Sequence, residues 1–224
     1  MILNITTLSR RIGRMACWGC LIVFLIAAGP SPVGAEQQAT EQRATEAVKS
    51  TITDLIHVLD DDTLKQPEQA EERRHEIEEI IRQRVDYGEM AKRALGAPWS
   101  TLSERDQQEF VSLFVQLLRD TFAGRITEHH DEEVAYLGEH RENVFAEVHT
   151  QLKGRKIDTM IDFRLIKYGT DWRVYDVVID GASIVSNYRS QFTSIIRQVS
   201  YVGLVNKMKQ KAVAVKVFEK TSEP

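Results

Sequence analysis

Between Val144 and Ile179 apolar and polar side chains alternate with a period of two, in three runs separated by short turns. Val144, Ala146, Val148 and Leu152 alternate with Phe145, Glu147, His149 and Gln151, and the run stops at Lys153-Gly154-Arg155. Ile157, Thr159, Ile161, Phe163 and Leu165 then alternate with Asp158, Met160, Asp162 and Arg164. After Tyr168-Gly169-Thr170-Asp171 comes a run dense in aromatic and β-branched residues, Trp172 to Ile179. Side chains on a strand point alternately to its two faces, so such runs build a sheet with an apolar side. Turns this short require antiparallel pairing, because a parallel crossover needs a dozen residues or more. A weaker strand over 134–137 brings the expected meander to about four strands.

On both sides of the meander the period changes to that of a helix. Val48, Ile52, Leu55, Ile56 and Leu59 form one apolar stripe, ended by Asp60-Asp61-Asp62. After Pro67, Ile77, Ile80, Ile81 and Val85 form a second, and Tyr87, Met90, Ala91, Ala94 and Leu95 a third, closed by Gly96 and Pro98. Ser103 with Asp106 three residues on is a helix start of the capping-box kind, followed by Phe110, Phe114, Leu117, Leu118 and Phe122. Past Asp180-Gly181, Ser183 is placed to cap a helix carrying Ile184, Val185, Tyr188, Phe192, Ile195 and Ile196. The fold class that follows is α+β, an antiparallel sheet of about four strands wrapped by N-terminal and C-terminal helices. The Phe110 and Tyr188 helices are the expected covers of its apolar face.

Arg10, Arg11 and Arg14 precede an apolar run from Ala16 to Ala28, and Val33-Gly34-Ala35 offers small residues for cleavage before Glu36. That is the pattern of an export signal over residues 1–35, cleaved near Ala35. The run is 13 residues long, short of the ~20 needed to span a bilayer; a retained anchor is the competing reading. Both cysteines, Cys17 and Cys20, lie inside the signal, so an exported chain would carry no disulfide and depend on its core. Residues 36–211 make one domain and 212–224 an apolar, basic tail, read as an extra strand, a docking arm or disorder. Residues 36–150 hold 13 Lys/Arg against 26 Asp/Glu, and 151–224 hold 13 against 7. This asymmetry argues against nucleic-acid binding and suits oriented docking on a partner.

Catalysis finds little support. His129-His130 before Asp131-Glu132-Glu133 lacks the spacing that puts two imidazoles on one helix face, and no metal site is expected. Gly181-Ala182-Ser183 lacks the second glycine of a nucleophile elbow. On strict alternation Asp176 shares a face with Trp172, Val174 and Val178, so it is expected partly buried, orienting Tyr188 or Arg189. A buried Asp–His pair would favour an enzyme, but the one strand candidate, His149, alternates with the apolar face. No nucleophile, base and orienting group come together, so the chain is read as non-enzymatic and without a cofactor.

The segment Trp172–Phe192 resembles the signature of the MlaC-type periplasmic phospholipid-binding proteins, the toluene-tolerance family of ABC transporter auxiliary components. In that family a strand ending Tyr-Asp-Val runs into Gly-x-Ser and Asn-Tyr-Arg-x-Gln-Phe. Here these are Tyr175, Asp176, Val177, Gly181, Ser183, Asn187, Tyr188, Arg189, Gln191 and Phe192. The Gly96–Trp99 loop and the helix behind it, within a resemblance spanning about residues 45–210, are similar as well. The resemblance implies helices and sheet around an apolar cavity, and a monomeric carrier with phospholipid as cargo. Its partners would be an inner-membrane ABC transporter complex with its substrate-binding-domain subunit and an outer-membrane lipoprotein complex. Candidate wall residues on this reading are Phe110, Phe114, Leu117, Phe122, Val148, Ile161, Phe163, Val174, Tyr188, Phe192 and Ile195. The late basic residues Arg189, Arg197, Lys207, Lys209 and Lys211 are docking candidates. A hopanoid cargo, or a non-catalytic partner-binding subunit with a filled core, are the alternatives.

Overall fold

The structure, a computed structural model, describes residues 43–128, 133–154 and 157–210, with side chains over 43–122 in the first stretch. The expected signal segment, the tail from Ala212, Lys211 and the cluster His129-His130-Asp131-Glu132 lie outside the described residues. Helices α1 (Ala44–Asp60), α2 (Ala70–Arg84), α3 (Tyr87–Leu95) and α4 (Glu104–Glu128) precede strands β1 (Glu133–Glu142), β2 (Phe145–Lys153), β3 (Thr159–Tyr168), β4 (Asp171–Ile179) and β5 (Ala182–Ser183). Helix α5 (Ile184–Lys209) closes the order. The strands pair antiparallel in sequence order, β1-β2-β3-β4-β5.

The sheet has five strands rather than four, because β4 returns on itself. Asp180 and Gly181 both take positive φ (47° and 82°), the conformation an Asp-Gly pair favours in a two-residue hairpin. Ile179 then pairs with Ala182 and Val178 with Ser183. The first strand is also longer than its weak alternation suggests, with a bulge between Tyr136 and Gly138 that breaks its period. Two residues expected on strands fall outside them. Val144 sits in the β1–β2 turn and Ile157 ahead of β3, and both are exposed.

A second bulge decides which side chains meet. Arg164 pairs with Asp176 but Leu165 pairs with Val174, which leaves Tyr175 as the extra residue. Alternation therefore changes phase inside β4: Trp172 and Val174 share a face with Val177 and Ile179, while Asp176 and Val178 turn to the other side. The strict-alternation expectation for Asp176 is corrected by this one residue.

Helices cover the sheet in two groups. Ala44, Ala47 and Val48 of α1 pack with Ala146, Val148, Leu165, Trp172 and Val174. The start of α1 is held from a distance, since Glu139 Oε2 of β1 accepts from Thr45 N (2.7 Å) and Thr45 Oγ1 (2.6 Å). Burial raises the Glu139 pKa, but the Thr45 and Arg141 hydrogen bonds outweigh it and hold the carboxyl below its usual range. Helices α3, α4 and α5 form the second group around a ring cluster. Phe114 meets Tyr188 edge-on at 5.2 Å and Phe110 meets Phe192 at 5.7 Å. The expected covers, the Phe110 and Tyr188 helices, thus pack mainly on each other and on α3; the wide apolar face of the sheet belongs to α1 and α2.

Candidate functional site

The α1–α2 pair does not close down on the sheet. Between them lies a cavity of about 720 Å³, within the range of small-molecule sites. Its floor is the phase-shifted face of β3 and β4: Ile161, Phe163 and Leu165, then Trp172, Val174, Val177 and Ile179. Val48, Ile52 and Leu55 of α1 and Ile77 and Ile81 of α2 form the roof. Met90, Leu118, Phe122 and Ile184 close the flank toward the second core. Tyr87 also lines it, and burial pushes its phenol pKa up, so it brings no charge into the cavity at neutral pH. A parallel bridge between Val85 and Val174, with Asp86 N donating to Val174 O at 2.8 Å, ties the C-terminal end of α2 to the sheet. The first residues of α2, Ala70 to Glu72, are exposed.

The size of this space constrains what it is. Cavities left in protein cores cost about 24 cal/mol per Å³. A space of about 720 Å³ is far larger than the single-residue voids that scale describes, and a dry void of that size is not compatible with the ~5–15 kcal/mol net stability of a domain. The chain therefore folds around an occupant or around solvent. A wall of aliphatic and aromatic groups gives water few partners and an alkyl chain many.

Of the eleven wall candidates, Phe122, Ile161, Phe163 and Val174 line the cavity. Phe110, Phe114, Leu117, Tyr188, Phe192 and Ile195 are not among its lining side chains; they pack in or against the α3–α4–α5 core. Val148 is fully buried under α1. Tyr188 shares a hydrogen bond with Thr121 Oγ1 at 3.2 Å. The roof residues of α1 and α2 are not legible as wall in the sequence, because an amphipathic stripe reads the same over a cavity as over a solid core. Trp172, Val177 and Ile179 are not legible either, because the bulge that unites them has no composition of its own.

The family-signature residues hold the frame. Asp176, 3% exposed, accepts from Ser183 Oγ at 2.6 Å and Val185 N at 3.0 Å, with Arg164 Nη1 at 3.2 Å. Ser183 Oγ in turn accepts from Ser186 N, the expected cap. Asp176 thus orients the start of α5 and pairs with Arg164, in place of the expected Tyr188 or Arg189. Arg189 Nε donates to Arg93 O at 2.7 Å, beside Gly96, whose positive φ (72°) ends α3. On the face of the sheet away from the cavity His149 Nδ1 meets Asp162 Oδ1 at 2.9 Å, near enough to Glu147 for the three to approach a common ion. The imidazole is 40% exposed and Arg164 Nε lies 3.3 Å from Glu147. This is not the buried pair that would argue for catalysis.

A sequence profile described as MlaC protein matches residues 49–210. The chain belongs to the MlaC family. Among solved structures, the phospholipid-binding protein from Ralstonia solanacearum, in complex with a phospholipid, shares the fold with a TM-score of 0.69. The two are 24% identical over 76% of this chain and 97% of the other. No curated protein matches this chain. The MlaC segment contains the α3–α4–α5 core and every described strand, and begins inside α1, just past Ala44, Ala47 and Val48 of the other core.

Proposed function

We propose that this protein is a periplasmic carrier that sheathes the acyl chains of a phospholipid in the cavity between its sheet and the α1–α2 pair. The observation that carries the reading is the apolar space of about 720 Å³ in a member of the MlaC family. The phospholipid bound by the Ralstonia protein of the same fold supports it. Moving a two-chain lipid through water exposes its methylenes at about 0.8 kcal/mol each; an apolar wall removes that penalty and demands no one chain shape. The head group stays at the open end, and no covalent chemistry is required. Residues 1–35 direct export and are cleaved near Ala35, and the mature domain passes lipid between an outer-membrane complex and an inner-membrane ABC transporter complex. No helix among the described residues is long and apolar enough to cross a membrane. Lys207 and Arg197 are exposed on α5 and available for docking, whereas Lys209 is paired with Glu109 at 2.6 Å.

Organic extraction of the purified mature protein followed by mass spectrometry tests the cargo. Phospholipid at near one molecule per chain is the expected result. A hopanoid would redirect the assignment to a polycyclic lipid, and a chain that neither carries nor takes up lipid would refute it.

A further inference from the structure

The polar part of the cavity lining has a charge opposite to that of its surroundings. Residues 36–150 hold twice as many acids as bases, yet the lining brings in Arg73, Arg74, Arg82, Arg84 and Arg119 against Glu78 and Glu79. Four of these arginines have carboxylate partners. Arg74 pairs with Glu71, Arg82 with Glu79 at 2.7 Å and Arg119 with Glu78 at 3.0 Å, while Arg84 reaches Asp171 at 3.6 Å, a carboxylate that Arg173 also holds at 3.0 Å. Arg73 has neither ion pair nor hydrogen bond among the described residues, although it is half-buried on the wall. A guanidinium so placed has given up hydration without gaining a partner, which is unfavourable until an anion arrives.

Its position along α2 says where that anion would sit. Ile81, Ile77 and Arg73 follow one another at four-residue spacing on the cavity face. The Ile81 end approaches the closed Val85–Val174 bridge, and the Arg73 end approaches the exposed first turn. An alkyl chain lying along Ile81 and Ile77 brings its polar end to Arg73. The planar donors of arginine match phosphate oxygens. Arg73 thus adds a positive charge that no carboxylate pairs with among the described residues. A phosphodiester with an uncharged head group balances it, whereas a zwitterionic head brings a further cation.

We propose that Arg73 binds the lipid phosphate and selects phospholipids whose head group is net anionic, phosphatidylglycerol-like over phosphatidylethanolamine-like. This rests on the phospholipid-carrier reading above. The test loads delipidated mature protein from vesicles of equal phosphatidylglycerol and phosphatidylethanolamine with identical acyl chains, then measures bound lipid by mass spectrometry. The wild type should enrich the anionic lipid about five-fold, the size of one partly exposed charge contact. The lipid that Arg73→Gln does load should stand at the vesicle ratio, and Arg73→Lys should keep part of the enrichment. Wild-type loading at the vesicle ratio would overturn the selection and leave the carrier reading standing, whereas failure to load any lipid would overturn both. Full enrichment in Arg73→Gln would remove Arg73 as the selector. Inorganic phosphate in large excess should leave the enrichment intact; its collapse would reassign Arg73 to free phosphate. If Arg73→Gln does not fold, the enrichment retained by Arg73→Lys relative to wild type decides.

Discussion

Replacing Asp176 with alanine should cost far more than its place on a strand suggests. The carboxylate is 3% exposed and accepts the Ser183 hydroxyl, the Val185 amide and the Arg164 guanidinium. Removing it strands a buried backbone N–H at the first turn of α5 and cuts the tie between β4 and that helix. Two hydrogen bonds to a buried carboxylate are worth about 1–1.5 kcal/mol each on a discounted scale, since charged bonds reach ~1.5–3. The Arg164 side chain is 36% exposed, so its ion pair adds at most about 1 kcal/mol. The expected loss for Asp176→Ala is therefore about 3 kcal/mol, a fall in Tm of roughly 6–12 °C for a domain of this size. Urea unfolding followed by tryptophan fluorescence measures it. Asp176→Asn, which keeps one acceptor, should lose about half as much. Ser183→Ala shares a bond with Asp176, so the double variant should fall short of the sum by about 1 kcal/mol. A loss below about 1 kcal/mol for Asp176→Ala, or strict additivity with Ser183→Ala, would refute the view that this carboxylate organises the strand–helix junction.

Phe163→Glu and Phe192→Glu should separate wall from core: the first should empty the protein of lipid with its circular dichroism intact, the second should unfold it, because a charge at a fully buried ring has no partner. Equal lipid retention in a folded Phe163→Glu would remove that ring from the wall. Because the folded Glu139 carboxyl titrates below its unfolded value, the stability it contributes is present above the ordinary pKa of 4.5 and lost as pH falls through the depressed folded value. Glu139→Gln should lower stability by about 1 kcal/mol at neutral pH and flatten the acid limb of a denaturation series. An unchanged limb would show that Glu139 does not hold α1. Ser200 breaks α5 with a φ of 71° and ψ of 173°, so Ser200→Gly should stabilise by about 1 kcal/mol, read as a raised urea midpoint; a lowered midpoint would mean that the serine is not strained.

The local elements of this protein are written in its sequence because they rest on short-range physics. A two-residue period makes β2, β3 and β4, a 3.6-residue period makes α1, α4 and α5, and Ser183, Ser103, Gly96 and Asp180-Gly181 punctuate them with side-chain caps and positive φ. The family signature is equally local, running from Tyr175 to Phe192. What the apolar residues enclose is a matter of long-range packing. Tyr188, Phe192, Phe110 and Phe114 have the composition of a lipid wall, and the fold turns them onto one another. Ile52, Ile77 and Ile81 look like ordinary core stripes, and the fold holds them off the sheet. The extra residue Tyr175 carries Val177 and Ile179 to the cavity and Asp176 away from it. The charge on Arg73 acquires meaning only when Glu71, Glu78 and Glu79 are found satisfying its neighbours. Periodicity tells which face of an element avoids water, but whether that face meets another side chain or an open volume depends on elements distant in the chain, and only the tertiary structure decides it.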